Sequence, residues 1–336
     1  MGLWWPVRHP CPEAHKGASR QGKRAEPFLM EKGSSMAKPS VGNTAIGAAA
    51  CRLIEQYKPE RMRLFYDPVV KDLLGAPIRA LLRLKSMRNL TIKQMDALTP
   101  GIYGVQISRT RFIDDAVEQA LSRGIGQVVI LGAGLDTRPY RLSGIERTRV
   151  FEVDLPAVQE EKKKKLQKRF GRLPAHVTFI PIDFDKESLQ DVFTGTPFDT
   201  ASPAIFIWEG VTQYLTEEAV RHTLAFIGAA APGSVLVFTY VLKSFIERRS
   251  GVAGEDRMMD MVARRGSPWL FGLDSSGVAS FLEPFHLHLT ADVGNADHQA
   301  NYFKPMGCEQ VVSEIERIVQ ATVIRSSEEK PYGTYR

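Results

Sequence analysis

Val128-Val129-Ile130-Leu131-Gly132-Ala133-Gly134-Leu135-Asp136-Thr137-Arg138 is the stretch on which the reading of this chain turns. Four buried-strand residues run into a glycine-alanine-glycine turn, the pattern of a strand that ends in a tight loop almost free of side chains. Twenty residues after Gly134, a second apolar run, Val150-Phe151-Glu152-Val153, ends in Asp154. Strand, glycine turn, helix, strand and terminal acid is the layout that holds a nucleotide-type ligand in an open α/β sheet. The glycines let the backbone approach the ligand, and the acid accepts hydrogen bonds from ribose hydroxyls.

Two ligand classes share that layout. A dinucleotide fingerprint places a third glycine where this chain has Thr137, and Asp136 sits inside the turn. A carboxylate beside a pyrophosphate is repulsive in a partly desolvated site. Next to the sulfonium of S-adenosylmethionine the same carboxylate is tolerable or helpful. The turn therefore predicts S-adenosylmethionine rather than NAD.

Outward from this stretch the chain alternates. Apolar runs predict strands at 127–131, 149–153, 176–181, 204–208 and 235–240, with two more at 285–289 and 318–324. Helical periodicity covers 44–57, 106–123, 156–170 and 216–230, and Asp67-Pro68 opens a short helix through Leu74. Such alternation predicts an α/β fold, a mostly parallel sheet with helices on both faces. Ligands in such sheets lie at the carboxyl ends of the strands. The polar residues there are Gly132, Gly134 and Asp136 after the first strand, Asp154 after the second, Asp183 and Phe184 after the third, and Glu209 after the fourth. Arg109, in the helix before the first strand, is a candidate bidentate partner for the donor's carboxylate.

Composition narrows the alternatives. The chain has 336 residues, 43% of them hydrophobic, and a net charge of +6. Residues 1–40 hold seven Lys/Arg against three acids, so they contribute +4 and leave +2 for the rest, too little to point to nucleic acid. That segment carries five prolines and four glycines without periodicity and reads as a disordered or artefactual tail, with Met36 a plausible start and residues 1–36 dispensable. The remainder, 41–336, reads as one catalytic domain, with about 241–284 as an insertion covering the substrate. Cys11, Cys51 and Cys308 form no metal or disulfide framework, and no leader is evident, which together predict a cytoplasmic protein. The uncharged run 223–242 is broken by Pro232-Gly233-Ser234, so helix, turn and strand are expected rather than a membrane span.

Other features read as ordinary. Lys162 to Lys165 is expected on a solvated helix face. His286 and His288, with Asp292 or His298, are expected to be edge residues rather than metal ligands. No G-x-S-x-G elbow occurs.

Five ordered motifs go further. Tyr66-Asp67-Pro68, Ser108 to Asp115, the run from Leu131 to Leu142, Phe151 to Pro156, and Trp208 to Leu215 resemble the leucine carboxyl methyltransferase family, closest to its bacterial branch of S-adenosylmethionine-dependent methyltransferases. The resemblance covers about residues 60–330. It implies a class I methyltransferase (Rossmann-like) fold, a seven-stranded sheet whose last strand pair is reversed, with a helical N-terminal and C-terminal cover. It further implies that Arg109 binds the donor carboxylate, Gly132 contacts the donor, Asp154 holds the ribose, Asp183 and Phe184 face the adenine, Glu209 lines the donor site, and Tyr214 lies near the acceptor. The segments 268–274 and 292–303 follow the bacterial branch rather than the enzymes that methylate a phosphatase C-terminus, so the acceptor does not carry over.

The expected activity is methylation of a carboxylate or hydroxyl oxygen on a small molecule. A carboxylate acceptor needs no base; for a hydroxyl, Glu209 and His222 are the sequence candidates. An NAD-dependent oxidoreductase and a non-catalytic S-adenosylmethionine-binding module are the rivals.

Overall fold

The computed structural model describes residues 42–184 and 186–324; the tail expected over 1–40, with its alternative start at Met36, lies outside the described residues. Seven strands make one sheet in the order β3-β2-β1-β4-β5-β7-β6. They are β1 Gln127–Leu131, β2 Arg149–Asp154, β3 Val177–Pro181, β4 Ile205–Trp208, β5 Val235–Val241, β6 Leu287–Val293 and β7 Glu316–Val323. The strands β1 to β5 pair in parallel, and β7 runs antiparallel between β5 and β6. Two antiparallel pairings in succession return β6 to the direction of β1. Chain leaving β6 therefore emerges at the same carboxyl edge as chain leaving β1, β2 and β4. Strand order reverses between β1 and β4, where an open α/β sheet forms its ligand crevice.

Burial on both faces explains why the central strands are apolar without alternation. Val129, Leu131, Phe151, Val153, Phe206 and Trp208 fill one core. Val128, Ile130, Val150, Ile205 and Ile207 fill the other, against Ile113 and Val117 of the helix Ile102–Ser122. A third core joins the N-terminal helix Gly42–Gln56 to the start of that helix through Leu53, Ile54, Tyr103 and Ile107. The N-terminal helix is thereby laid over the carboxyl edge. Asp67 opens the short helix Val70–Leu73 by accepting from the N–H groups of Val69 and Val70.

Most predicted elements lie within two residues of the observed ones, and the helix Pro156–Phe170 matches at both ends. The exceptions are the end of β6, at Val293 rather than 289, and the start of the long helix, at Ile102 rather than 106. β6 starts at Leu287 rather than 285 because Pro284 sits in a tight 3-10 turn and His286 adopts φ 57°, a left-handed backbone. The run 223–242 splits as expected, the helix ending at Gly228 and β5 starting at Val235. Among the described residues no helix is long and apolar enough to cross a membrane.

The lysine run is corrected. Lys162 is buried, with its ammonium 2.8 Å from Glu152 of β2. Gln159, Lys162 and Leu166 form the buried face of their helix. Only the following lysines meet solvent, Lys163 and Lys165 pairing with Glu160 and Glu161. The same ammonium reaches the Ala133 carbonyl at 3.4 Å, which anchors the glycine turn from behind.

Candidate active site

The turn after β1 is closed by the strand beside it. The N–H groups of Gly132 and Ala133 donate to the Val153 carbonyl at 2.8 and 3.1 Å. The N–H of Gly134 donates to one carboxylate oxygen of Asp154, and Leu155 N–H donates to the other at 2.6 Å. Gly132 sits at φ +69°, and a Cβ there would lie 2.4 Å from Val211 Cγ2. Only glycine suits that backbone and that gap. Asp154 is buried, which raises its pKa against the opposing pull of the Gly134 and Leu155 N–H groups and of Lys162.

In front of the turn lies a buried ionic network. Arg109 donates from Nε to Glu209 at 2.7 Å, from Nη1 to both oxygens of Glu316 at 2.6 and 2.8 Å, and from Nη2 to Gln106 at 2.8 Å. Arg138 donates to Asp114, Asp136 and Glu209 at 2.8, 2.6 and 2.7 Å. Arg141 pairs with Asp114, and Arg52 with Asp67. Thr137 joins the two ends, donating to Asp67 at 2.6 Å and accepting from Arg52 at 2.7 Å. Four guanidiniums (Arg52, Arg109, Arg138, Arg141) thus meet five carboxylates (Asp67, Asp114, Asp136, Glu209, Glu316), a net charge of −1. Burial opposes ionisation of Asp136 and Glu209, yet Arg138 holds Asp136, and Arg138 with Arg109 holds Glu209, below the usual carboxylate range.

Arg109, Gly132, Gly134, Asp136 and Glu209 line one cavity, together with Arg138 and with Ala45, Ala48 and Arg52 of the N-terminal helix. Asp154 stands directly behind Gly134. Asp183 and Phe184 lie outside that lining. Asp183 meets Lys186 at 2.6 Å, and Phe184 packs on the core, although Ile182 N–H ties this segment to the Asp154 carbonyl. Tyr214 is half-buried in the 3-10 turn Thr212–Tyr214, also outside the lining. His222 is exposed on the helix Glu217–Gly228, which removes it as a base. His286 and His288 are exposed. Among the described residues no group of His, Cys, Asp and Glu is arranged to hold a metal ion.

Two inferences from sequence need revision. Asp136 is neutralised by Arg138, so its charge alone argues less strongly against a pyrophosphate than the bare sequence suggested. Arg109 has every nitrogen engaged, so a donor carboxylate must displace a partner rather than meet a free fork. Arg52, Arg138, Asp114 and Glu316 were missed. The Thr137-Arg138-Pro139-Tyr140-Arg141 spacing held a signal for the first-strand arginines, whereas Glu316 lies in a distant strand with no local mark.

A sheet of five parallel strands continued by an antiparallel β7 and an outermost β6, a glycine turn after β1 and an acid at the end of β2 together make the class I methyltransferase fold. The chain belongs to the leucine carboxyl methyltransferase family, whose model matches residues 45–228. A Streptomyces coelicolor relative, named for S-adenosyl-L-methionine-dependent methyl transfer, is 40% identical over 144 residues, or 42% of this chain and 50% of that protein. The chain thus spans half the length of that relative. A Frankia alni relative of the same description is 35% identical over 204 residues, 60% of this chain and 69% of its own. The fold is shared with the crystal structure of a protein from Thermobifida fusca, titled as a methyltransferase, at TM-score 0.51 and 16% identity, over 75% of this chain and 92% of that one.

Proposed function

We propose that this protein transfers the methyl group of S-adenosylmethionine to a carboxylate or hydroxyl oxygen of a small molecule. The observation that carries the reading is that Arg109, Gly132, Gly134 and Glu209 line one and the same cavity, with the Asp154 carboxylate behind it. The residues fit the donor. The glycine backbone leaves room where a Cβ would intrude, and Asp154 keeps acceptor capacity for ribose hydroxyls beyond its two backbone bonds. Asp183 and Phe184 serve the adenine end in this reading.

Charge supports the same assignment. A zwitterionic amino acid carrying a sulfonium has a net charge of +1, complementary to the −1 of the network. Glu209 exchanges Arg109 for the donor's ammonium, and the Nε that Arg109 gives up receives the donor's carboxylate. One buried pair is replaced by two, so no charge is left unpaired. Segment 241–284 and the N-terminal helix shield the acceptor from water, and catalysis rests on alignment and desolvation.

Calorimetry with S-adenosylmethionine, S-adenosylhomocysteine and NAD tests the donor assignment, and release of S-adenosylhomocysteine over a panel of carboxylic acids and phenols tests turnover. Both methionine derivatives should bind and NAD should not. Asp154→Ala should cost about 1.5–3 kcal/mol of donor affinity, the scale of hydrogen bonds to a charged group. NAD binding without either methionine derivative would sink the reading.

A further inference from the structure

β6 delivers the chain to the edge shared with Gly132, Asp154 and Glu209. There it forms a short helix, Asn295–His298, that continues directly into a π-helical turn, Gln299–Phe303. Such widened turns are rare and recur at functional sites. His298 stands at the junction and is fully buried. Neither of its ring nitrogens has a hydrogen-bond partner among the described residues, where buried polar atoms are nearly always satisfied. The ring stacks on Tyr302 at 6.1 Å, and the Tyr302 hydroxyl meets Asp115 at 3.1 Å on the helix that carries Arg109. The short helix packs against that same helix. The charges of Arg317 on β7 and of Arg109 act on the imidazole from outside, and that of Asp297 from its own turn. A purely structural histidine would place at least one nitrogen on a neighbour. This one keeps a donor and an acceptor unpaired at the carboxyl edge of the sheet, outside the cavity lining described above but on a helix packed against the one that carries Arg109.

We propose that His298 binds the methyl acceptor and takes the proton of an acceptor hydroxyl as that oxygen is methylated. This rests on the donor reading above and narrows it from oxygen acceptors in general to hydroxyls. The step balances. A lone pair on the acceptor oxygen forms the bond to the methyl carbon, the carbon–sulfur pair stays on sulfur as a thioether, and the O–H proton moves to the free imidazole nitrogen. One positive charge passes from sulfonium to imidazolium. Burial, against the opposing charge of Asp297 and aided by Arg317 and Arg109, holds the ring neutral down to about pH 4. A base that weak is sufficient, because an oxygen bearing both its hydrogen and a new methyl group is far more acidic than an imidazolium. A carboxylate acceptor brings no proton and would leave the histidine without a task.

The test uses full-length protein labelled with nitrogen-15 histidine and saturated with S-adenosylhomocysteine, titrated with phenol, benzyl alcohol and benzoate. Ring nitrogens are followed by NMR, and S-adenosylhomocysteine affinity by calorimetry. At least one hydroxyl probe should move the His298 nitrogens and leave those of His176 and His222 in place. Benzoate should not. His298→Asn should lose that response, keep its S-adenosylhomocysteine affinity, and slow turnover of a hydroxyl acceptor on the order of 10²–10⁴-fold, the range for general-base removal. If S-adenosylhomocysteine binds and neither hydroxyl probe moves His298, the proposal is wrong while the donor reading stands. A response to benzoate alone, or loss of S-adenosylhomocysteine affinity in His298→Asn, also overturns it. Failure of S-adenosylhomocysteine to bind the native protein removes both readings.

Discussion

A single nitrogen of Arg138, Nη1, lies 2.6 Å from Asp136 and 2.7 Å from Glu209, and so joins the loop after β1 to the loop after β4. The same side chain reaches Asp114 through Nε at 2.8 Å. Of these three carboxylates Asp136 pairs with Arg138 alone, whereas Asp114 also pairs with Arg141 and Glu209 with Arg109. Arg138→Met should leave Asp136 without its ion-pair partner and cost about 3–5 kcal/mol, as expected when one partner of a buried ion pair is removed. Urea denaturation reads the loss, and Asp136→Asn in the same chain should recover part of it. A loss under about 1 kcal/mol would match an exposed pair and contradict this account.

Arg109 and Arg111 are two positions apart and face different surroundings. Arg109 is 5% exposed and bound to Glu209 and Glu316, whereas Arg111 is partly exposed and paired with Asp115 at 2.8 Å. Arg109→Lys should reduce donor affinity by about 1.5–3 kcal/mol, since an ammonium cannot reproduce a planar fork with three occupied nitrogens. Arg111→Lys should change it by less than about 0.5 kcal/mol. Calorimetry on both variants, with folding checked by circular dichroism, makes the comparison. A larger loss in Arg111→Lys would exchange the two roles.

What sequence could show was local. Val128 to Leu131 reads as a buried strand because both faces are apolar, and the spacing from Gly134 to Asp154 marks the turn and the terminal acid, though not the bond between them. Helix Pro156–Phe170 is bounded by Pro156 at its first position and Gly171 just beyond its end. What could not be read depends on tertiary placement. Glu316 meets Arg109 across 207 residues of chain, and only the reversal of β7 brings it there. Lys162 was hidden by its neighbours: four lysines in a row suggest solvent, and only the phase set by Gln159 and Leu166 marks one of them as buried. His298 carries no motif, and its significance lies wholly in what fails to contact it.

Gly132 tests the fit between turn and loop. Alanine there meets two separate obstacles, the left-handed backbone at φ +69° and Val211 Cγ2 at 2.4 Å. Gly132→Ala should therefore destabilise the protein by about 1–3 kcal/mol and weaken donor binding. Adding Val211→Ala removes the steric obstacle and leaves the backbone one, so the double variant should be more stable than Gly132→Ala though still below the native protein. Thermal denaturation separates these cases. A double variant no more stable than the single one would assign the whole cost to the backbone.

The buried imidazole of His298 also predicts how stability depends on pH. Its pKa is about 4 in the folded protein against an ordinary 6.5, chiefly because burial disfavours the charged ring. Between those values the unfolded chain binds more protons than the folded one, so stability falls as pH is lowered through this window and the loss is complete below about pH 4. From pH 7 to pH 5 the loss assigned to this residue is about 2 kcal/mol. Asp136 and Glu209, with depressed pKa values, also lose stability toward acid, but only as pH falls below the ordinary carboxylate range. Asp154, with a raised value, works in the opposite direction. Glu152 and Asp96 are raised by burial as Asp154 is, so the comparison with a variant that lacks only the histidine, and not the pH interval by itself, isolates the contribution of His298. From pH 7 to pH 5 the urea midpoints of the native protein should drop more steeply than those of His298→Asn, whatever that variant's absolute stability. Parallel slopes in the two proteins would mean that His298 titrates normally and that its ring is not held neutral.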